Sequence, residues 1–329
     1  MEMNVEVRLA KQEDMDQLKI LHNKVDEAIT IMPEVAEWGE AKELESFSVI
    51  KRIEDGSSGD DKYILQKDNK KYLLRIGDIC KKNEKQNEYN KLLAYIDTEI
   101  VTHRPILFGT TENHFYSVVT WVEGTPVMDI IKSDTLKSYY ELGKTVGKEL
   151  RKLHDNSLVQ SEVTWRDVMG EKYHRMIENF HRLKIDFSCS KQAEEYIVNN
   201  LALLKHRPEV MLHGDFHWNN CVVDDSGTVG IIDFSGNQIG DPWYEFGGIV
   251  WALEYSESFA NGQIDGYFND SVPNEFWSVL KLYFALYAFE HFMFSNGTPE
   301  DIQFRISNAT RMLNYFGDHY QLDIPVFRE

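Results

Sequence analysis

The residue types best suited to chemistry lie in residues 211–246, whose sequence is MLHGDFHWNNCVVDDSGTVGIIDFSGNQIGDPWYEF. Asp215 follows a short apolar stretch, Asn220 comes five residues later, and Asp233 ends the second strand of a predicted strand–turn–strand. Because a hairpin brings its outer ends together, we expect Asn220 and Asp233 to converge beside the loop that carries Asp215. A carboxylate can orient an attacking hydroxyl and accept its proton, while hard oxygen ligands suit Mg²⁺ on nucleotide phosphates. The pattern therefore indicates phosphoryl transfer.

The same cluster has two other interpretations. His213, Asp215 and His217 are spaced as HxDxH, which can bind a transition metal, although no second His/Asp cluster in the chain completes such a site. The polar residues could also serve only to cap turns. The order of the two blocks, HGDxHxxN and then IDFxxxxxGDP, favours phosphoryl transfer over both.

HGDFHWNN followed by IIDFSGNQIGDPWYEF resembles the signature of aminoglycoside phosphotransferases and of the related choline and small-molecule kinases. The resemblance extends upstream through IKRIEDGSSGDDKYIL, KYLLRIGD and VVTWVEGTPV. It implies that Asp215 is the catalytic base, that Asn220 and Asp233 bind the metal, and that His213 braces the loop. Since His-Gly-Asp stands where protein kinases have His-Arg-Asp, the partner of a phosphorylated activation loop is missing. This argues against a regulated protein kinase.

A nucleotide-binding loop is predicted between the first two strands. Its small residues would let backbone N–H groups approach phosphates, although a plain hairpin turn is the alternative. The loop residues are Gly56, Ser57, Ser58 and Gly59.

The strand KYLLRIG carries two further candidates on one face, Leu73 and Arg75. The resemblance implies that Leu73 lies under the adenine and that Arg75 reaches the α and β phosphates. The family more often has Lys there, and Arg offers a planar fork instead of a point charge. The expected ion-pair partner of Arg75 is Glu88, with Glu84 one turn earlier as the alternative.

A short connector, Thr120, Trp121 and Val122, is expected to meet the purine through backbone groups. The Thr120 carbonyl and the Val122 N–H would bond the purine edge, so the side chains do not distinguish ATP from GTP.

Residues around and beyond the Asp233 block are candidates for the acceptor side. His217 is either a loop-packing or a substrate-side residue. The family often has Asp where this chain has Glu245, which leaves substrate amine binding or a structural cap as its role. Aromatic and acidic side chains there suit a cationic sugar, whereas core packing is the alternative. The acceptor-side candidates are His217, Asp241, Glu245, Trp251 and Glu254.

The elements that must position these residues change character along the chain. FSVIKRIED, KYILQK, KYLLRIG, PILFG and HFYSVVTWV are strand-like, with helical periodicity over residues 82–97. In residues 139–155 the residues Leu142, Val146, Leu150 and Leu153 share one helix face, and two glycines beside it permit close packing. The sequence predicts an α+β, two-lobed, protein-kinase-like fold, in which an antiparallel sheet lobe with one helix precedes a larger helical lobe.

We expect four segments in this fold. Residues 1–42 form an N-terminal helical extension, residues 43–119 the nucleotide-binding lobe, residues 120–124 the hinge, and residues 125–329 the catalytic and acceptor-binding lobe. The opening strand and helix also resemble those of N-acetyltransferases, but the glycine-rich loop that such an enzyme needs does not follow at a fitting distance.

Composition narrows the functional classes. The chain has 329 residues and a net charge of −19, which makes nucleic acid and anionic membrane poor partners because phosphate binding needs clustered Lys and Arg. Its three cysteines are far apart and form no CxxC, so neither a disulfide framework nor a zinc ribbon is predicted. A reducing, cytoplasmic location and a monomer or weak dimer are expected.

The sequence thus predicts an enzyme that moves the γ-phosphate of ATP or GTP, with Mg²⁺, to a hydroxyl of a small molecule. An aminoglycoside or related amino sugar is the first acceptor candidate, which would connect the enzyme with antibiotic resistance. A macrolide, a choline-like alcohol or another metabolite is the second. The alternatives from other classes are a catalytically inactive nucleotide-binding regulator and, more distantly, an acetyltransferase.

Overall fold

The computed structural model describes residues 41–54, 59–157, 159, 163–235 and 238–328. The predicted N-terminal helical extension lies outside these residues up to residue 40, and so do Gly56, Ser57 and Ser58 of the predicted phosphate-binding loop. The chain divides into two compact units, Met1–Glu123 and Gly124–Glu329.

The first unit contains a five-stranded antiparallel sheet with the strand order β1-β2-β3-β6-β5. Its elements are β1 (Ser48–Ile53), β2 (Asp61–Lys67), β3 (Lys70–Asp78), α1 (Lys82–Lys91), the short β4 (Val101–Thr102), β5 (Pro105–Thr110) and β6 (His114–Thr120). The α-helix predicted over residues 82–97 ends at Lys91 and continues as a 3₁₀ turn, Leu92–Tyr95.

The central hairpin of this sheet follows from local sequence. Asp68 and Asn69 join β2 to β3 with φ angles of 50° and 59°, the left-handed values that a two-residue hairpin turn requires. Alternation then sends Leu65, Leu74 and their neighbours into a core that is closed by Phe47. In the resulting register Arg75 of β3 pairs with Lys62 of β2 and with Ser117 of β6.

The second unit is mainly helical. Its helices include α2 (Val127–Ser133), α3 (Tyr140–Asp155), α4 (Trp165–Leu183), α5 (Ser190–Asn200), α6 (Val250–Leu253), α7 (Glu257–Phe268), α8 (Asn274–Glu290) and α9 (Pro299–Asn314). Its short strands include β7 (Thr125–Pro126), β8 (Val210–Met211), β9 (Cys221–Val223), β10 (Val229–Ile231) and β11 (Ile239–Gly240).

Glycines set the packing of α3 against α7, as the sequence predicted for the helix in residues 139–155. A Cβ atom at Gly143 would lie 2.1 Å from the Phe259 carbonyl oxygen, and one at Gly147 would lie 2.0 Å from the Gln263 carbonyl oxygen. Both distances are far below van der Waals contact, so the two backbones touch only because these side chains are absent. This helix pair supports β10, which packs against α3.

The strand–turn–strand predicted after Asn220 is present as the β9–β10 hairpin. Asp224 holds the turn by accepting from the N–H groups of Ser226 and Thr228, both at 2.9 Å. Cys221 pairs with Ile231, so the residues just outside the two strands lie at the same end of the hairpin.

Among the described residues, none of the helices combines the length and the apolar composition needed to cross a membrane.

Candidate active site

The loop that carries Asp215 is built around a buried histidine. His213 is fully buried, its Nε2 lies 2.9 Å from the Ile232 carbonyl oxygen, and its Nδ1 accepts from the Asp215 N–H at 3.2 Å. Since Nδ1 accepts and the carbonyl can only accept, the imidazole proton lies on Nε2. His213 therefore ties the loop to the end of β10, which is the bracing position predicted from the sequence.

Position 214 of this loop can be occupied only by glycine. Its φ is +92°, and a Cβ atom there would lie 2.3 Å from the Ser235 carbonyl oxygen. The Gly214 N–H donates to Glu245 Oε1 at 3.0 Å. Glu245 is 3% exposed, so of its two predicted roles the structure supports the structural one, in which it holds the loop.

Asn220 meets Asp215 directly. It is buried, and its Nδ2 donates to the Asp215 carbonyl oxygen at 2.9 Å and lies 3.3 Å from Asp215 Oδ2. The Asn220 backbone carbonyl accepts from the Ile232 N–H at 2.9 Å, which joins the two ends of the hairpin. Because the amide nitrogen is committed to the loop, the side-chain oxygen is the atom left to act as a ligand.

Asp233 lies in an unusual backbone conformation, with φ of +61°. A non-glycine residue in this region is held there by its neighbours, here by the Ile232 N–H bonded to Asn220 and the Ser235 N–H bonded to the His213 carbonyl. The carboxylate of Asp233 lies within electrostatic reach of Asp215 and acts to raise its pKa. The structure thus brings together the three residues that the sequence singled out.

Asp215 is ionised at neutral pH. Burial acts to raise its pKa, but the hydrogen bond of His217 and the electrostatic influence of His217 and His213 outweigh this and lower the pKa below its ordinary value. His217 Nε2 lies 3.5 Å from Asp215 Oδ1, and His217 Nδ1 accepts from the Asn219 N–H at 3.1 Å. The structure therefore places His217 against Asp215, in the loop.

The oxygen atoms at this site fit a hard cation. Two carboxylates and an amide oxygen are the donor types that nucleotide-bound Mg²⁺ prefers. The transition-metal alternative loses one of its three ligands, because both ring nitrogens of His213 are engaged. Within residues 41–328, apart from the few that the structure leaves undescribed, no group of three His, Cys, Asp or Glu side chains is placed to hold a metal ion.

In the first unit, Arg75 pairs with Glu88 as predicted. Arg75 Nη1 lies 3.8 Å from Glu88 Oε2, and Glu88 is buried, whereas the side chain of Glu84 is largely exposed. Lys85 also pairs with Glu88, a contact that no sequence pattern indicated, and its Nζ lies 3.0 and 2.9 Å from the two Glu88 oxygens. Glu88 is therefore shared between two cations.

The other predicted nucleotide-side residues take varied positions. Leu73 is nearly buried in β3 at 8% exposure, and Gly59 has a φ of +67°. The Thr120 carbonyl accepts from His103 Nδ1 at 2.7 Å, and the Trp121 N–H donates to the Lys71 carbonyl at 3.1 Å.

Asp241 does not lie on the acceptor side, where the sequence predicted it. Its side chain is fully buried and accepts from Arg207, at 2.8 and 3.2 Å, and from the Tyr283 hydroxyl at 2.6 Å. It also caps the 3₁₀ helix Pro242–Ile249 through the Trp243 N–H at 3.0 Å. With every contact internal and no exposed surface, Asp241 lies in the core instead of facing a ligand.

Trp251 and Glu254 do lie at the surface. The Trp251 side chain is 37% exposed, and its ring centroid lies 5.7 Å from that of His291. Glu254 is exposed and forms an ion pair with Arg311. Their aromatic neighbours Trp243 and Tyr244 are buried, so core packing, the alternative interpretation, describes those two.

The chain matches the model of a known protein family. The model of the phosphotransferase enzyme family that is abbreviated APH matches residues 49–279. No curated protein sequence matches.

Solved structures share the fold at low identity. A ternary complex of aminoglycoside phosphotransferase APH(4)-Ia with ADP and hygromycin B has a TM-score of 0.63 at 16% identity, covering 84% of this chain and 97% of that one. Choline kinase LicA from Streptococcus pneumoniae has a TM-score of 0.55 at 13% identity, covering 83% and 97%. Spectinomycin phosphotransferase APH(9)-Ia, with ADP and spectinomycin, has a TM-score of 0.52 at 14% identity, covering 88% and 97%. The predicted α+β, protein-kinase-like fold is confirmed.

Proposed function

Because the chain belongs to the phosphotransferase enzyme family, we propose that it transfers the γ-phosphoryl group of ATP or GTP to a hydroxyl of a small molecule. The observation that carries this proposal is the hydrogen bond between Asp215 and Asn220 beside Asp233, with the pKa of Asp215 held below its ordinary value. An ionised carboxylate beside hard oxygen ligands suits this reaction.

In the proposed reaction, Asp215 accepts the proton of the acceptor hydroxyl while the hydroxyl oxygen forms its bond to the γ-phosphorus. The bond between this phosphorus and the β–γ bridging oxygen breaks, and the nucleoside diphosphate leaves with the electron pair. The product is a phosphate monoester. His213 and Asn220 hold the Asp215 loop through their hydrogen bonds, which supports positioning as their contribution.

We propose that Asn220 and Asp233 bind Mg²⁺ through their side-chain oxygens. When bound, the ion offsets the charge that develops on the phosphate oxygens. The position of Asn220 and Asp233 at the same end of the β9–β10 hairpin supports this assignment.

On the first unit, we propose that Arg75 binds the donor phosphates and that Glu88 orients it. Leu73 would lie under the base, the backbone of Thr120 and Val122 would meet its edge, and the loop of residues 56–59 would approach the phosphates. In this proposal residues 43–119 bind the nucleotide, residues 120–124 form the hinge, and residues 125–329 carry the catalytic and acceptor contacts.

Two acceptor classes remain from the sequence: an aminoglycoside or related amino sugar, and a less charged alcohol such as a macrolide or choline-like compound. Three free cysteines are in keeping with a reducing, cytoplasmic location. The inactive-regulator alternative is disfavoured because Asp215, Asn220 and Asp233 are all retained.

The test is acceptor-dependent release of nucleoside diphosphate from Mg·ATP and Mg·GTP, over a panel of hydroxylated antibiotics and metabolites. The Asp225→Ala variant is a matched control, because Asp225 lies exposed in the turn of the same hairpin. We expect release with at least one acceptor class, retained in Asp225→Ala and lost in Asp215→Ala. Release that is equal in both variants would contradict the proposal.

A further inference from the structure

A surface of the second unit adjoins the Asp215 loop and has no role in the chemistry described so far. Gly248 packs against the loop, since a Cβ atom there would lie 2.1 Å from the Phe216 carbonyl oxygen and 3.3 Å from His217 Cβ. Three residues further along the chain, Trp251 contacts the ring of His291. These contacts lead from the catalytic loop to the end of α8.

The last turn of α8 packs against the same segment. A Cβ atom at Gly247 would overlap Tyr287 Cε2, and the Tyr287 hydroxyl donates to the Tyr244 carbonyl oxygen at 3.4 Å. Tyr287 thus joins α8 to the residues beside the Asp215 loop. We call Trp251, Glu254, Tyr287, Glu290 and His291 the acceptor wall.

Glu290, the first of the two acidic residues of the acceptor wall, is neutralised by a cation from α4. Its Oε1 lies 2.6 Å from Lys172 Nζ, and its Oε2 accepts from the Tyr244 hydroxyl at 3.3 Å. Lys172 Nζ also donates to the Tyr244 hydroxyl at 2.6 Å. The two charged side chains are 19% and 20% exposed, so this pair is more shielded from water than a surface pair.

Glu254, the second acidic residue, is paired with Arg311 of α9. His291 adds no positive charge at neutral pH, because burial and the nearby cations Arg305 and Arg311 lower its pKa, although Glu290 acts in the opposite direction. Arg305 is itself paired with Asp301 at 2.9 Å. The two carboxylates of the acceptor wall are thus each balanced by a cation from a neighbouring helix, although the chain as a whole has a net charge of −19.

This balance determines which acceptors the wall suits. A polycation would have to compete with Lys172 and Arg311 for carboxylates that are already paired. The net charge of the chain does not replace those contacts, because exposed charges are screened beyond about 8 Å at physiological ionic strength. The exposed part of the Trp251 indole offers apolar contact, and an aromatic ring of this kind also attracts a single cation.

We infer that the acceptor wall selects a hydroxylated molecule with no more than one positive charge and with an apolar face that packs on Trp251. This inference rests on the proposed function, and it places the less charged of the two acceptor classes first.

The test uses the full chain and Lys172→Gln, which uncovers Glu290 while leaving its contact with Tyr244. Lys152→Gln is the matched control, because it makes the same charge change in the Lys152–Glu149 pair of α3, which lies outside the acceptor wall. Calorimetry with hygromycin B, a molecule with several amines, measures polycation binding. We expect Lys172→Gln to bind it roughly 3–10-fold more tightly than wild type and Lys152→Gln do. Equal affinity in the three proteins, or binding in none, would overturn the inference.

Turnover supplies the second measurement. Trp251→Ala should raise the KM of singly charged or neutral acceptors while leaving kcat near the wild-type value, and Trp251→Phe should restore KM. Transfer to polycationic acceptors alone would also overturn the inference while leaving the proposed function intact. The proposed function fails separately, when no acceptor supports release that depends on Asp215.

Discussion

The catalytic loop and the acceptor wall lie side by side in the second unit but are built differently. In the loop, His213, Asp215 and Asn220 are close in sequence and joined by hydrogen bonds between side chains and the backbone. In the wall, each charge is set by a distant partner, Lys172 for Glu290 and Arg311 for Glu254. In our proposal, the chemistry therefore resides in a locally determined motif, whereas acceptor choice depends on tertiary pairing.

The largest effect expected is on the loop side of this comparison. Asp215→Ala should lower kcat by about 10²–10⁴-fold, because a positioned base contributes that much to proton transfer. Nucleotide affinity should stay near the wild-type value, since Asp215 is placed to meet the acceptor. Steady-state turnover and nucleotide titration check both parts, and near wild-type turnover would remove Asp215 from the mechanism.

The next effect separates the two proposed metal ligands. Asp233→Asn should weaken Mg²⁺-dependent nucleotide binding by roughly 10-fold, because a neutral amide is a poorer ligand than a carboxylate for a hard dication. Asn tolerates the positive φ at this position, so the backbone is preserved. Asn220→Ala should weaken binding less. Titration of Mg²⁺ at fixed nucleotide measures both, and wild-type metal affinity in Asp233→Asn would show that Asp233 is not a ligand.

A pH effect tests the support behind the catalytic loop. His154 of α3 is buried against the Tyr267 hydroxyl, and burial first, then Arg151 and His213, lowers its pKa to about 3. The unfolded chain takes up this proton below about pH 6.5, so folding stability is full above that pH and falls as pH decreases towards 3. The loss should approach ~1.4 kcal/mol per pH unit within this window.

Denaturant unfolding at a series of pH values between 4 and 7 measures this slope. His154→Gln cannot titrate, so its stability should change less with pH than that of wild type. The same slope in both proteins would assign the pH dependence to other groups.

The smallest effect is on the wall side. With a neutral or singly charged acceptor and saturating nucleotide, KM should change by less than about 2-fold from low to high salt, because the wall charges are already paired. A steep rise of KM with salt would instead indicate a polycationic acceptor held by carboxylates. It would contradict the inference that the charges of the acceptor wall are already paired.

Much of the catalytic loop could be predicted because its determinants are local. The hairpin turn held by Asp224 and the convergence of Asn220 with Asp215 both follow from short-range patterns. The pairing of Arg75 with Glu88 was expected from the family resemblance.

The remaining features depend on residues that meet only in the folded chain. Nothing near Asp241 in the sequence indicates that Arg207 and Tyr283 bury it. The prediction that Asp241 lies on the acceptor side was therefore wrong. Lys172 and Glu290 likewise lie on separate helices, and their charges cancel only once α4 and α8 pack together. The family resemblance placed an aminoglycoside first among the acceptors, whereas the role that we infer for the acceptor wall favours a less charged one.

We propose that the enzyme transfers a phosphoryl group to a hydroxyl, and identification of the product is the sharpest test of this proposal. After reaction with the acceptor that gives the greatest release, phosphorus NMR and mass spectrometry identify where the phosphoryl group lies. We predict one phosphate monoester on a hydroxyl for each nucleoside diphosphate formed. This monoester should be absent with Asp215→Ala and present with Asp225→Ala. Inorganic phosphate as the sole phosphorus product, formed equally by wild type and Asp215→Ala, would contradict it.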